Sequence, residues 1–101
     1  MRKTKIVCTI GPACADEAVM EAMLKSGMNV ARFNFSHGTH EYHEKMMEKF
    51  RRVRDKLHLP APIILDTKGP EIRLRDFENG KITLKEGTLF TLTTREVIGN
   101  E

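Results

Sequence analysis

The groups best suited to chemistry in this 101-residue chain are concentrated in one short stretch. Residues 63–65 form an apolar run typical of a buried strand. Residues 66–73 then supply a carboxylate, a hydroxyl, two cationic side chains and a Gly-Pro turn. Binding and catalytic groups of α/β folds gather at the carboxyl ends of strands. The segment 66–73 is therefore interpreted first as a functional site and only second as a connection.

A second group of polar side chains belongs to the preceding predicted strand, residues 29–35. Successive side chains of a strand point to opposite faces. One face carries the apolar residues Ala31, Phe33 and Phe35, and suits packing under helices. The other carries a guanidinium, an amide and, just beyond, a hydroxyl: Arg32, Asn34 and Ser36. If the two strands are neighbours, these groups converge with Asp66 and Thr67 at one edge of a sheet.

Two chemistries fit this cluster. One carboxylate among neutral oxygens suits a weakly charged cation better than Ca²⁺. Arg32 and Arg73 offer fork-shaped donors that match phosphate oxygens, and a cation beside arginines is what phosphoryl transfer needs. In the alternative, Arg32 and Asp66 form only a buried ion pair in a protein core and bind no ligand.

The elements that must position these groups follow from the hydrophobic pattern. Strands are predicted over residues 3–10, 29–35 and 63–66. Two helices lie between them, with Asp16 and Thr39 as expected N-caps. The second helix has the clearest helical period in the chain: Tyr42, Met46, Met47, Phe50, Val53 and Leu57. This alternation with short links predicts an α/β fold with a parallel sheet.

The pattern changes after Gly69-Pro70, where we expect a boundary between domains 1–69 and 70–101. Residues 71–77 and 81–84 flank Asn79-Gly80, a strong hairpin signal. With a further strand over 89–93, the tail is predicted to be antiparallel β. Three parallel strands cannot close a barrel and leave two unpaired edges, so the sequence is expected to be the opening of a longer protein.

The amino-acid composition excludes several classes of protein. The chain is 40% hydrophobic and 31% charged, which is typical of a globular protein, and no run is long enough for a membrane span. Without a signal-peptide core, it is expected in the cytoplasm, with Cys8 and Cys14 as reduced thiols. The net charge of +3 arises mainly on the second helix, where basic and acidic residues alternate. That stripe is interpreted as a solvated face rather than a nucleic-acid surface.

The histidines are less informative. His40 and His43 are expected to be exposed on the first turns of the second helix, and their spacing does not match the HExxH zinc motif. His37 lies in the loop after the second strand, from which it can reach a ligand. Neither a GxxxxGK[ST] nor a GxGxxG phosphate loop occurs. Any nucleotide site must therefore be built differently.

Three motifs resemble the pyruvate kinase family: residues 8–13 (CTIGPA), 27–38 (GMNVARFNFSHG) and 65–73 (LDTKGPEIR). The resemblance covers the whole chain in the right order. It implies the first three β/α units of a (β/α)₈ TIM barrel, followed by the start of an antiparallel β lid domain. It also implies transfer of a phosphoryl group from phosphoenolpyruvate to ADP, giving pyruvate and ATP, with Mg²⁺ and K⁺ as cofactors and a homotetrameric parent protein.

The resemblance also implies roles for individual residues. Arg32 matches a contact to the substrate phosphate. The matching K⁺ ligands are Asn34, Ser36, Asp66 and Thr67, the last through its backbone oxygen. The matching nucleotide contacts are Asn34, Phe35, Ser36, His37 and Arg73. No catalytic residue is matched, because the family's lysine and its Mg²⁺-binding Glu and Asp have no counterpart in these 101 residues. The isolated chain is therefore expected to be inactive.

Overall fold

The computed structural model describes residues 2–101, which divide into two compact units between Gly69 and Pro70. The first unit alternates strands and helices along the chain. Its elements are β1 (Val7–Thr9), α1 (Glu17–Ser26), β2 (Val30–Asn34), α2 (His40–Lys56) and β3 (Ile63–Asp66). A single 3₁₀ turn, Pro12–Cys14, follows β1. No helix formed by residues 2–101 is long and apolar enough to cross a membrane.

The three strands form one sheet in the order β1-β2-β3, and both pairings are parallel. The predicted parallel sheet is confirmed. Its central strand, β2, places Arg32 opposite Thr9 on one side and Asn34 opposite Asp66 on the other. The first strand is shorter than the predicted 3–10, because its partner β2 begins only at Val30, opposite Val7, and only three residues separate β2 from the end of α1.

Both helices begin at the predicted caps. Asp16 Oδ1 accepts a hydrogen bond of 2.7 Å from the amide of Ala18, and Thr39 Oγ1 accepts one of 3.1 Å from the amide of Tyr42. Each cap satisfies a backbone donor that the first helical turn leaves without a partner. The α1 helix ends at Gly27, whose φ of +115° lies in the left-handed region that glycine adopts without steric cost.

The core lies between the sheet and the two helices. Its largest fully buried side chains are Phe33, Phe50 and Met20. The predicted alternation of β2 is confirmed, since Ala31 and Phe33 are buried while Val30, Arg32 and Asn34 are half-buried. The predicted apolar face of α2 is also confirmed: Met46, Met47, Phe50 and Val53 are buried, and Tyr42 and Leu57 pack against them half-buried.

The second unit contains no strand between residues 70 and 101, so the predicted strands over 71–77, 81–84 and 89–93 are wrong. Asn79 and Gly80 do have the positive φ angles of a tight hairpin turn, 56° and 79°. They belong to a 3₁₀ turn, Glu78–Gly80, and the only backbone bridge in this unit joins Phe77 to Gly99 in parallel. No residue of the unit is buried. A hairpin that buries no apolar face is marginal at best in water.

Candidate functional site

The carboxyl ends of all three strands meet at Arg32. Its Nε donates a hydrogen bond of 2.9 Å to Asp66 Oδ2, and its Nη2 contacts the same oxygen. Its Nη1 donates a hydrogen bond of 2.8 Å to Thr9 Oγ1. The guanidinium is thus held between the end of β1 and the end of β3, and its plane is fixed by three of its five N–H groups.

The Arg32–Asp66 pair is only partly shielded from solvent. The side chain of Arg32 is 32% exposed and that of Asp66 is 44% exposed. Pairs with this much exposure contribute roughly 0–1 kcal/mol to stability. A fully buried core ion pair, the alternative reading of the sequence, therefore does not describe this arrangement. The main effect of the pair is to orient two charged groups at the open edge of the sheet.

Asn34 and Ser36 lie beside this pair. Asn34 is the register partner of Asp66, and the carbonyl of Asp66 accepts a hydrogen bond of 2.9 Å from the amide of Phe35. Asn34 Oδ1 accepts one of 3.0 Å from the amide of Ser36. This is a local Asx-type turn, which ends the strand and folds the next residues back over its end. The predicted convergence of Arg32, Asn34 and Asp66 is therefore found.

The other two predicted cation ligands, Ser36 and Thr67, lie just after the ends of β2 and β3. Ser36 is half-buried in the turn, and Thr67 is exposed immediately after β3. Within residues 2–101 no group of three or more His, Cys, Asp or Glu side chains is arranged to hold a metal ion. A carboxylate-rich site for a divalent ion is therefore not formed by the described residues. A site built mainly from amide, hydroxyl and backbone oxygens would have different chemistry.

Three predicted nucleotide contacts, Phe35, His37 and Arg73, lie outside this cluster, and they differ in exposure and partners. Phe35 is half-buried. His37 is exposed in the loop after β2. Arg73 belongs to the second unit and forms a two-pronged pair with Glu71, with hydrogen bonds of 2.8 Å and 3.0 Å. This hydrogen bonding to Glu71 raises the pKa of Arg73. The fork of Arg73 is thus set in a geometry that matches an oxyanion.

The prediction that His43 is exposed is wrong, whereas His40 is exposed as predicted. His43 is 3% exposed, with its Nε2 lying 2.5 Å from the carbonyl oxygen of His37. The sequence did contain the signal, because His43 precedes Met46 and Met47 by three and four residues and shares their helical face. The contact of Arg32 with Thr9 was also not predicted, because it depends on the register of β1 on β2.

Two basic residues on the charged face of α2 form ion pairs with α1. Arg52 contacts Glu17 at 2.7 Å and Lys56 contacts Glu21 at 3.0 Å. Glu21 also contacts Lys25 at 2.6 Å, and the hydrogen bonds from these two lysines lower the pKa of Glu21. These basic residues are therefore neutralised by carboxylates of α1, which favours a structural role for them over phosphate binding.

Comparisons with known proteins identify the family to which this chain belongs. The family model described as "Pyruvate kinase, barrel domain" matches residues 1–101. Two curated pyruvate kinases illustrate the similarity. That of Staphylococcus haemolyticus is 52% identical over 98% of this chain and 17% of its own length, and that of Chlamydia muridarum is 50% identical over 98% and 20%. The chain belongs to the pyruvate kinase family.

A solved structure agrees with this assignment. The crystal structure of Cryptosporidium parvum pyruvate kinase superposes with a TM-score of 0.73 at 48% identity. The superposition covers 79% of this chain and 17% of the crystallised chain. The chain thus spans about a fifth or less of the length of the relatives it matches.

Proposed function

We propose that this chain supplies the first three β/α units of a (β/α)₈ barrel, residues 1–69, and the start of a lid domain, residues 70–101, in a pyruvate kinase. The reaction is phosphoryl transfer from phosphoenolpyruvate to ADP, giving pyruvate and ATP. The observation that carries this proposal is the arrangement at the strand ends, where Arg32 is oriented by Thr9 and Asp66 beside Asn34. Family membership over the whole chain supports it.

Arg32 is assigned to the substrate phosphate. Three of its five N–H groups bind Thr9 and Asp66, which leaves two for a ligand at the open edge of the sheet. A guanidinium that is already oriented loses less freedom when it binds a phosphate than one on a mobile side chain. Fixed positive charge of this kind stabilises the equatorial oxygens of a phosphoryl group in transfer.

The cation site is assigned to Asn34, Ser36, Asp66 and the backbone oxygen of Thr67. Both contacts from Arg32 go to Asp66 Oδ2, so Oδ1 is the carboxylate atom assigned to the cation. The side-chain Oδ1 of Asn34 accepts one hydrogen bond from the amide of Ser36 and keeps a second lone pair. With the charge of Asp66 offset by Arg32, the neutral oxygens suit a monovalent ion such as K⁺ better than a divalent one. K⁺ at this position would supply positive charge beside the transferred phosphate.

By family resemblance, nucleotide contacts are assigned to the loop after β2 in the first unit and, separately, to Arg73 in the second unit. Residues 34–37 provide an amide, a hydroxyl, an imidazole and backbone groups close to the strand end. Arg73 would exchange the carboxylate of Glu71 for a phosphate of ADP, since both ligands present paired oxygens to the same fork.

The proposal assigns no catalytic residue to these 101 residues. The family's catalytic lysine and the Glu and Asp that hold Mg²⁺ match no position here, so Mg²⁺ and proton transfer depend on other parts of the protein. We expect the isolated 101-residue polypeptide to form no ATP from phosphoenolpyruvate and ADP in a coupled assay. Robust turnover by that polypeptide would contradict this assignment of roles. By family resemblance, the complete protein is proposed to be a cytoplasmic homotetramer.

Calorimetric titration of the full-length protein with ADP, in the presence and absence of K⁺, tests the assignment. We expect K⁺ to strengthen ADP binding, and Asp66→Ala to abolish that effect of K⁺. Asp55→Ala is the matched control, because Asp55 is an exposed carboxylate of α2 that pairs with its neighbour Arg54. Arg32→Ala is expected to weaken phosphoenolpyruvate binding while leaving the response to K⁺ measurable.

The alternative is a structural module in which the same residues only pair with one another. It predicts no heat of binding for ADP with or without K⁺, and equal behaviour of Asp66→Ala and Asp55→Ala. A DNA titration tests the remaining class, a basic nucleic-acid binder, which requires an affinity that falls steeply with salt.

A further inference from the structure

One histidine that the proposed ligand sets do not include lies directly against the loop after β2. His43, in the first turn of α2, is 3% exposed, and its Nε2 lies 2.5 Å from the carbonyl oxygen of His37. A carbonyl oxygen only accepts hydrogen bonds, so Nε2 carries the proton and donates it. The hydrogen bond therefore ties the backbone of the loop to the rigid start of a helix.

The imidazole is also fixed by its aromatic neighbours. It stacks on Phe35, with ring centroids 4.4 Å apart and planes inclined by 25°. Its ring meets Phe33 edge-on at 6.3 Å and Tyr42 at 5.3 Å. Phe33 is a fully buried core residue, whereas Phe35 is the second residue of the proposed nucleotide segment 34–37. His43 thus connects the core with the ligand loop through ring contacts and one hydrogen bond.

Gly38 shows how closely the loop lies on the helix. Its φ of +74° is in the left-handed region. A Cβ atom at this position would come within 3.0 Å of Tyr42 Cδ1 and 3.3 Å of His43 Nε2. Both distances are tighter than ordinary van der Waals contact, so the loop has little room to shift towards the helix.

We propose that His43 is a positioning residue for nucleoside diphosphate binding. Its hydrogen bond to the carbonyl of His37 holds residues 35–38 in the conformation that receives the nucleotide. This inference rests on the function proposed above, because it assumes that the loop after β2 contacts ADP. His43 touches neither the substrate nor the cation and acts only through the loop backbone.

The geometry separates this role from phosphoenolpyruvate binding. Arg32, assigned to the phosphate of that substrate, is oriented by Thr9 and Asp66 through contacts that do not involve the loop. Loss of the His43 hydrogen bond therefore loosens the loop and leaves the guanidinium in place. Binding of ADP is expected to weaken while binding of phosphoenolpyruvate is not.

The test compares three variants of the full-length protein by steady-state kinetics with both substrates. His43→Phe keeps an aromatic ring in the buried position and removes the donor. His43→Gln keeps a donor that can reach the carbonyl of His37. His40→Phe is the matched control, because the same change is made one turn earlier on the same helix, at an exposed ring that also contacts Phe35.

We expect His43→Phe to raise the KM for ADP about tenfold, which is within the cost of losing one hydrogen bond. The KM for phosphoenolpyruvate is expected to stay within about twofold of the wild type. His43→Gln is expected to restore most of the ADP affinity, and His40→Phe to leave both constants unchanged. Thermal unfolding of each variant separates these effects from a general loss of stability.

Two results would overturn the inference. One is a KM for ADP in His43→Phe equal to that of His40→Phe. The other is an equal rise of both KM values, which would indicate general damage to the site. If His43→Phe does not fold, Gly38→Ala takes its place, because it disturbs the same contact from the loop side. An unchanged KM for ADP in Gly38→Ala would then refute the role of the contact.

Failure of the role proposed for His43 and failure of the proposed pyruvate kinase function give different results. A wild-type protein that converts no phosphoenolpyruvate in the presence of ADP contradicts that function directly. In that case, hydrogen exchange of the amides of residues 36–38 still tests whether the His43 hydrogen bond holds the loop. Exchange that is no faster in His43→Phe than in the wild type refutes it.

Discussion

The two units of this chain differ in what they bury. In the first, two helices cover one face of a parallel sheet, and Phe33, Phe50 and Met20 are removed from water completely. In the second, residues 70–101, no side chain is buried, and Ile72 and Leu89 are almost fully exposed. The second unit is held by local turns, the Phe77–Gly99 bridge and surface ion pairs such as Arg75–Glu96.

This difference shows when a hydrophobic pattern is sufficient to determine structure. Each strand of the first unit finds its neighbour within the same 69 residues, and each helix finds a sheet face to cover. The alternating pattern of the second unit is equally regular, but among residues 70–101 it has no apolar surface to pack against. Alternation then leaves side chains exposed, and the turn at Asn79-Gly80 forms without the ladder that it would normally close.

The largest expected effect is on the free energy of unfolding, and it emerges when one apolar residue from each unit is replaced by alanine. Phe33→Ala removes a fully buried ring and should lower the free energy of unfolding by about 3–5 kcal/mol. Leu89→Ala changes a side chain that is 99% exposed and should alter it by less than about 0.5 kcal/mol. Urea unfolding followed by circular dichroism measures both. Similar costs for the two variants would show that the second unit has a core of its own.

Amide hydrogen exchange addresses the same contrast at the backbone. The amides of Ala31 and Phe35 donate to Pro62 and Asp66 at 3.1 Å and 2.9 Å and should be strongly protected. Amides of residues 81–84 and 89–93 should exchange at least on the order of a hundredfold faster, because they lie outside any ladder of the described chain. Strong protection of these amides would instead support the antiparallel strands that the sequence pattern predicted.

Loss of a helix N-cap is expected to lower the free energy of unfolding by an intermediate amount, and only in the first unit. Thr39→Ala removes the side chain that accepts from the amide of Tyr42, and should cost about 1 kcal/mol of unfolding free energy. Thr93→Ala is a suitable control, because Thr93 also accepts from a backbone amide, that of Arg95, but in the second unit and outside any helix. Denaturant midpoints should therefore shift for Thr39→Ala alone.

The smallest expected effect is electrostatic. Hydrogen bonds from Lys25 and Lys56 lower the pKa of Glu21 below its ordinary value of 4.5. Because the folded-state pKa is depressed, this contribution is fully present above pH 4.5 and is lost as the pH falls through the lower folded-state value. Unfolding midpoints of Glu21→Gln and the wild type should therefore differ slightly at neutral pH and converge in acid. A difference that persists in acid would assign the effect to packing.

The sequence predicted most of the first unit, because its signals are local and agree with one another. Helical periodicity, the caps at Asp16 and Thr39 and the alternation of Phe33 with Arg32 all indicate the same α/β arrangement. The contact between Arg32 and Asp66 followed from the rule that parallel strands gather their carboxyl ends at one edge. The exact partners did not follow, since Thr9 and Arg32 meet only once the register of β1 on β2 is known.

The errors have physical causes. His43 was assigned to the surface by residue type, although its position on the apolar face of α2 outweighs its polarity once the carbonyl of His37 satisfies Nε2. The tail was assigned to strands by residue pattern, although strand pairing depends on partners and on buried area that local sequence does not reveal. In both cases tertiary context decided the outcome.

The central position of β2 has a consequence for the order of folding. Arg32 meets Thr9 across 23 residues and Asp66 across 34. The entropic cost of closing a loop grows only with the logarithm of its length, so these two closures differ by less than about 0.5 kcal/mol. Loop length therefore gives neither edge strand priority. Phe33 and Phe50, whose rings lie 6.5 Å apart, are both fully buried, so we expect the packing of α2 on β2 to form first, which φ-values at these two positions would test.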